Sequence, residues 1–340
     1  MAPAVGLEPT TKRLTAARST TELRRSEGPG SGPSVRRVRR AAPEDSRGRL
    51  AYDVCVPESS PLISVESLAA RLGDADVHVA DVRWYLGEPE RGRNEYVLAH
   101  IPGAIFVDLD TDLAAPTGPG RHPLPEPAAL ADRLGRLGFG SGDFIVVYDD
   151  VMGTVAARLW WMLDNLGHQR VAVLDGGLRA WRVAGLPVST DSPTAAPREL
   201  RLADRWSNLV DREELVGRLD EVTLIDARAP ERYRGDVEPV DPKAGHIPSA
   251  INAPAKVALE GDGRFLAPAD LAERLRSVAP AGRQVVASCG SGVTACHTAL
   301  ALRVAGLPDP LLYPGSFSDW SRSDLPVAVG SEPGALKAGS

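Results

Sequence analysis

The sequence predicts an α/β fold made twice over: two consecutive domains, each a mainly parallel sheet flanked by helices. The first observation behind this is an internal repeat. "ADVRWYLGE" at 80–88 is answered by "IDARAPERY" at 225–233, which sets Asp81 over Asp226 at an offset of 145. "AHIPGA" at 99–104 is answered by "GHIPSA" at 245–250, and "VLDGGLRAW" at 173–181 by "LYPGSFSDW" at 312–320. "LPV" recurs at 186 and 325. Landmarks in one order at nearly one spacing mark a duplicated unit. The second observation is alternation. Near-continuous apolar runs are separated by stretches of helical period, the pattern of a parallel sheet covered on both faces.

Taken in order, residues 1–58 are expected to be a disordered basic leader. The first 50 residues hold eleven Lys and Arg against five Asp and Glu, with much Ser, Thr, Gly and Pro. They lack the apolar core of a secretory signal and cannot bury enough surface to fold alone. A nucleic-acid-touching arm, an organelle-targeting segment, or a start codon set upstream of a protein that begins near Val54 or Val56 all stay open. The first domain is expected over 60–186, with strands in "DVHVADV" (76–82), "FIVVYD" (144–149) and "RVAVLD" (170–175). A linker over 187–206 contains "STDSPTAAPREL", rich in Ser, Thr, Pro and Ala. The second domain, over 207–330, repeats the strands in "TLID" (223–226), "QVVAS" (284–288) and "PLLY" (310–313). "PAALADRLGRLG" and "PADLAERLRSVA" read as matching amphipathic helices.

Composition narrows the function. A chain of 340 residues with 43% hydrophobic and 25% charged residues is ordinary for a globular protein. The net charge of −6 argues against a general nucleic-acid binder. No apolar run reaches the roughly 18 residues of a membrane span, so no membrane partner is expected. Three cysteines are too few for a disulfide framework. They suit a reducing compartment with a thiol kept for chemistry, and a cytoplasmic location is expected. No Cys/His spacing suggests zinc, and no metal or cofactor is expected.

One cysteine is placed for reaction. In "VVASCGSGVTACHTALAL" (285–302), Cys289 follows a strand and precedes a helix. Gly290 and Gly292 let the backbone curl so that N–H groups turn inward, with the helix N-terminus behind them. Such a nest favours the thiolate, the nucleophilic form. When the repeats are aligned on Gly153 and Gly292, Cys289 falls opposite Asp150, so the first copy has no thiol here and is a retired domain. A phosphatase loop needs an arginine six residues after its cysteine, whereas position 295 is alanine.

With these residues in view, the chain resembles the two-domain rhodanese-type sulfurtransferases over about 60–325. The resemblance is carried by "CGSGVTACH", the doubled "HIPGA/HIPSA", "VLDGGLRAW", "RYRG" (232–235) and "YPGSFSDW". It implies two tandem rhodanese-like domains and a Cys289 persulfide that takes sulfur from a small-molecule donor. The persulfide is held by the loop of Gly290, Gly292, Val293 and Thr294 and passed to a thiol such as thioredoxin or a small thiol, or to cyanide. The thiosulfate branch places Arg and Lys after the cysteine. Here those positions are Gly290 and Ser291, which is similar to the 3-mercaptopyruvate branch. In that branch Ser291 would join His122 and Asp110 in a proton relay, and Arg232 would bind the donor's anionic end. A second arginine of that branch is replaced by Asp241, for which Lys243 or Arg234 could substitute. A thiosulfate:cyanide sulfurtransferase and a low-turnover sulfur-carrier module remain the alternatives.

Several residues also have plainer readings. His100 and His246 recur in both copies and read as structural, and Asp81 and Asp226 as turn or salt-bridge residues. Asp108 could exchange roles with Asp110, and His122 could be a surface-loop residue. Arg232 could simply pair with Glu231 or Asp236. Cys296 lies about two helical turns past Cys289 and is expected to pack, with a resolving disulfide as the other option. Cys55 has no expected role. Trp181 and Trp320 read as core.

Overall fold

The computed structural model describes residues 60–336; the expected leader and Cys55 lie outside the described residues. The first sheet contains β1 (Leu62–Ile63), β2 (Val77–Asp81), β3 (Ile105–Phe106), β4 (Phe144–Tyr148) and β5 (Val171–Leu174). Its order is β1-β5-β4-β2-β3, with every pairing parallel. The second contains β6 (Thr223–Asp226), β7 (Ile251–Asn252), β8 (Val285–Ser288) and β9 (Leu311–Leu312), ordered β7-β6-β8-β9 and again parallel. Without β1 the two orders are the same. In the second sheet a parallel bridge from Leu209 to Leu312 stands where β1 pairs with β5.

The central strands are buried along their length, as their Val, Ile and Ala runs require. Helices Pro127–Arg136 and Pro268–Leu275 carry proline at the start, where no N–H is lost to the helix. Each turns a leucine pair inward, Leu130 with Leu134 and Leu271 with Leu275. Each such side chain contributes about 1.5–3 kcal/mol on leaving water.

Each copy also holds a buried ion pair near the C-terminal end of its first long strand. Arg83 grips Asp81 and reaches the carbonyl of Ala99; Arg228 grips Asp226 and reaches the carbonyl of Gly245. The pairs therefore staple the two "HIP" turns to the sheets. There His100 and His246 are fully buried, stacked on Tyr96 and Tyr233, and bonded through Nδ1 to the carbonyls of those tyrosines. Trp181 and Trp320 are buried, and their indole N–H groups donate to the carbonyls of Pro187 and Pro326.

Helix Ala156–Asn165 of the first copy packs on helix Thr294–Val304 of the second, each buried nearly all round. One apolar core runs from Ala80 of one sheet through Trp160 to Ala287 and Leu312 of the other. This contact sets the two strand-end loops against each other. Among the described residues, no helix is long and apolar enough to cross a membrane.

The sheet registers correct one expectation. Asp81 pairs with Tyr148, and Asp226 pairs with Ser288. The residue after each strand is therefore Asp149 in the first copy and Cys289 in the second. Leu178 N–H donates to Asp149 O as Phe317 N–H donates to Cys289 O. Asp149, not Asp150, stands in the place of Cys289. The first loop is one residue longer, a difference that alignment on the glycines conceals.

Candidate active site

Strand β8 delivers Cys289 into a short loop tied down on its far side. The Cys289 N–H donates to Ser316 Oγ at 3.1 Å. Its carbonyl accepts from Phe317 at 3.0 Å, and that of Gly290 from Ser318 at 2.8 Å. Gly292 has φ +76°, and a Cβ there would lie 2.4 Å from the Pro314 carbonyl oxygen, so only glycine fits. Ser316 is held at φ +50°, in the left-handed region, where the first copy has Gly177 at φ +57°. That conformation costs a serine about 1–2 kcal/mol. The hydroxyl gained accepts from Cys289 and donates to the Tyr313 carbonyl at 2.8 Å.

The first copy shows what this loop can hold. The Asp149 carboxylate is fully buried and accepts N–H bonds from Val151, Gly153, Val155 and Ala156 at 2.8–2.9 Å. Burial weakens it as an acid and the four N–H bonds oppose this, leaving its pKa above the usual carboxylate value. In the second copy the matching N–H groups of Gly292, Thr294 and Ala295 have no acceptor among the described residues. The nest that an internal anion fills in one domain is thus open around the cysteine in the other.

His122, Ser291 and Asp110 come together across the domain contact. His122 Nδ1 lies 2.8 Å from Ser291 Oγ, and Nε2 lies 3.1 Å from Asp110 Oδ1. His122 is buried, not a surface residue. Its hydrogen bond holds the Asp110 carboxyl below its ordinary pKa against partial burial. Trp84 Nε1 donates to the other Asp110 oxygen at 2.9 Å and sets its ring edge-on to His122. Asp108 takes no part; its Oδ1 accepts the N–H groups of Asp110 and Thr111 and shapes the turn that presents Asp110. The buried Arg158, from the first copy, donates Nη1 to the Gly292 carbonyl at 3.1 Å and Nη2 to the His122 carbonyl at 2.9 Å. One side chain thus braces both the cysteine loop and the histidine.

Cys289, Ser291, Val293 and Thr294 open on a cleft of about 470 Å³ whose other wall includes Trp84 and Val151. Arg121, Arg228 and Arg232 also line it. Arg232 pairs with neither Glu231 nor Asp236 but with Glu238 at 2.7 Å and Asp241 at 3.3 Å. Burial works against ionised Glu238, yet Arg232 and the N–H groups of Asp241 and Val240 hold its pKa below the usual value. Lys243 donates to the carbonyls of Ser323 and Leu325, and Arg234 pairs with Asp236. Neither lines the cleft, so neither replaces the arginine missing at Asp241. Cys296 is fully buried, its thiol 3.3 Å from the Gly292 carbonyl, and burial pushes its pKa up to about 12. That makes it a poor nucleophile.

Comparison with known proteins agrees with this architecture. The rhodanese-like domain family matches residues 64–184 and again 211–323. The chain belongs to the rhodanese family. Over 282 residues it is 45% identical to a protein of Pseudomonas aeruginosa named as a probable 3-mercaptopyruvate sulfurtransferase, covering 80% of this chain and 99% of that one. Over 284 residues it is 35% identical to the thiosulfate sulfurtransferase of Mus musculus, covering 78% and 93%. Among solved structures, 3-mercaptopyruvate sulfurtransferase from Leishmania major aligns with a TM-score of 0.68 at 31% identity, covering 78% of this chain and 75% of that one.

Four residues around this rhodanese-family site were not singled out from the sequence: Trp84, Arg121, Arg158 and Ser316. Ser316 left a signal, since the repeat sets it over Gly177 and a serine in place of a left-handed glycine asks for a reason. Arg121 is the neighbour of His122 and faces the same cleft. Trp84 and Arg158 left none, because their partners are distant in sequence.

Proposed function

We propose that the chain moves a sulfur atom from 3-mercaptopyruvate to a thiol acceptor through a persulfide on Cys289. On this reading 207–330 is the catalytic domain and 60–186 supplies one wall of the cleft. The observation that carries it is the open nest around Cys289, matched in the sister domain by a nest that a carboxylate fills. A nest of that kind stabilises an anionic sulfur. The Cys289 thiolate attacks the donor sulfur, the C3–S bond breaks, and its electron pair passes to the three-carbon fragment as an enolate. One proton taken up at C3 yields pyruvate and leaves Cys–S–SH. Ser291 is placed to deliver that proton, replenished from His122, whose imidazolium Asp110 steadies. An acceptor thiolate then attacks the outer sulfur, leaving as a persulfide and returning the Cys289 thiolate. Thioredoxin, a small thiol or cyanide would each serve. The thiol must stay reduced between turnovers, which suits the cytoplasm.

Thiosulfate is the second reading, favoured by the three arginines on the cleft. Steady-state transfer to cyanide from the two donors at matched concentrations decides between them. A much larger kcat/KM for mercaptopyruvate is expected. A preference for thiosulfate would remove the relay from the mechanism, because no enolate then needs a proton.

A further inference from the structure

A carboxylate steadies an imidazole only while one of its oxygens faces the ring. Asp110 is poorly placed to hold itself there, because its side chain is 41% exposed and water competes for both oxygens. Oδ1 lies 3.1 Å from His122 Nε2, and Oδ2 accepts the Trp84 indole N–H at 2.9 Å. Among the described residues no other group hydrogen-bonds either oxygen. With Oδ2 held, Oδ1 is the oxygen left to the imidazole. The same indole stands edge-on to His122, with ring centres 5.1 Å apart at 89°. It therefore restrains both members of the pair.

Trp84 is itself fixed from behind. It follows the buried Arg83, whose N–H donates to Asp81 Oδ1 at 3.1 Å. Helix Arg91–Leu98 lies so close on this stretch that a Cβ at Gly92 would be 1.9 Å from the Arg83 carbonyl oxygen. The repeat shows that the fold does not ask for tryptophan here. Asp226 and Arg228 repeat Asp81 and Arg83, and the residue that follows, in the place of Trp84, is Ala229. Both Trp84 and Ala229 line the cleft. The large side chain stands in the copy that supplies the histidine and its aspartate. We propose that Trp84 is a positioning residue of the relay. Its indole N–H fixes the Asp110 carboxylate so that one oxygen faces His122, and its ring edge holds the imidazole so that Nδ1 faces Ser291. It acts through those two side chains and makes or breaks no bond itself. The role rests on the mercaptopyruvate reading above, in which the relay protonates the enolate.

The test uses Trp84→Phe, which keeps an aromatic wall beside His122 and removes the N–H donor. In a proton–nitrogen correlation spectrum of the full-length protein, the indole signal missing from Trp84→Phe is that of Trp84. Asp110→Ala should shift that signal and speed its exchange with solvent; an unmoved signal would overturn the positioning role. In steady-state transfer from mercaptopyruvate, Trp84→Phe should lower kcat about tenfold, the worth of one charge-assisted hydrogen bond, with KM little changed. Made on top of Asp110→Ala, the same substitution should cost nothing further, because the two residues act as one unit. Wild-type kcat in Trp84→Phe, or an equal loss in the Asp110→Ala background, overturns the role of Trp84 and leaves the relay standing. If instead Asp110→Ala alone turns over like wild type, or the wild-type protein prefers thiosulfate, the relay reading fails and the role of Trp84 fails with it.

Discussion

Acid should loosen this molecule through one histidine. His297 lies in helix Thr294–Val304 with no exposure to solvent, stacked on Phe265 at 4.9 Å. Its edge faces the first domain, with Cδ2 3.8 Å from the Cβ position of Gly153. Neither ring nitrogen has a hydrogen-bond partner. Burial pushes its pKa down from 6.5 to about 4; the Met152 backbone favours the charged form but does not reach bonding geometry. Because the folded pKa lies below the unfolded one, the unfolded chain takes up the proton first as pH falls. Stability from this group is intact above about pH 6.5, declines through the window down to about pH 4, and is lost below it. The shift of 2.5 units corresponds to about 3 kcal/mol, of which about 2 kcal/mol is already gone at pH 5. The assay is urea unfolding of wild type and His297→Met at intervals from pH 7.5 to 4.5. The difference between the two curves isolates His297, since His168 and the carboxylates titrate in both. Wild type should lose about 2 kcal/mol more than the variant between pH 7.5 and pH 5. Parallel curves would refute the reasoning.

Three further outcomes are expected. Cys289→Ser should abolish sulfur transfer, whereas Cys296→Ser, whose hydroxyl can keep the bond to the Gly292 carbonyl, should keep kcat within about twofold; equal damage would show that Cys296 takes part in the chemistry. Gly292→Ala puts a methyl group 2.4 Å from the Pro314 oxygen at φ +76°. It should cost at least about 2 kcal/mol in thermal unfolding and displace the nest N–H groups, so an active variant of unchanged Tm would contradict the loop geometry. Arg158→Met strips the buried carbonyls of Gly292 and His122 of their shared donor. A loss of about 2–4 kcal/mol with a lower kcat should follow, and wild-type turnover would show that Arg158 does not position the loop.

Much of this protein was written in local pattern. Apolar runs, helix periodicity and the repeat foretold two parallel sheets, because burial on both faces leaves a one-dimensional trace. Cys289, Gly290 and Gly292 were legible for a similar reason: a strand, a tight turn and a helix start impose residue types at fixed spacing. The trio of Ser291, His122 and Asp110 came only with the family resemblance, since nothing in spacing alone relates residue 122 to residue 291.

Tertiary structure decided the rest. Whether Asp149 or Asp150 replaces the cysteine depends on strand register, which the pairing of Asp81 with Tyr148 and of Asp226 with Ser288 settles and sequence alignment on glycines does not. Which cation answers Asp241 depends on how two helices pack, and that packing brings Arg121 across a gap of 120 residues while leaving the nearer Lys243 and Arg234 turned elsewhere. The sequence by itself determined the fold of each half and the place of the thiol, because these follow from backbone geometry and burial over short stretches. The cleft and the contacts among Ser291, His122 and Asp110 belong to the contact between the halves, where side chains far apart in the chain become neighbours.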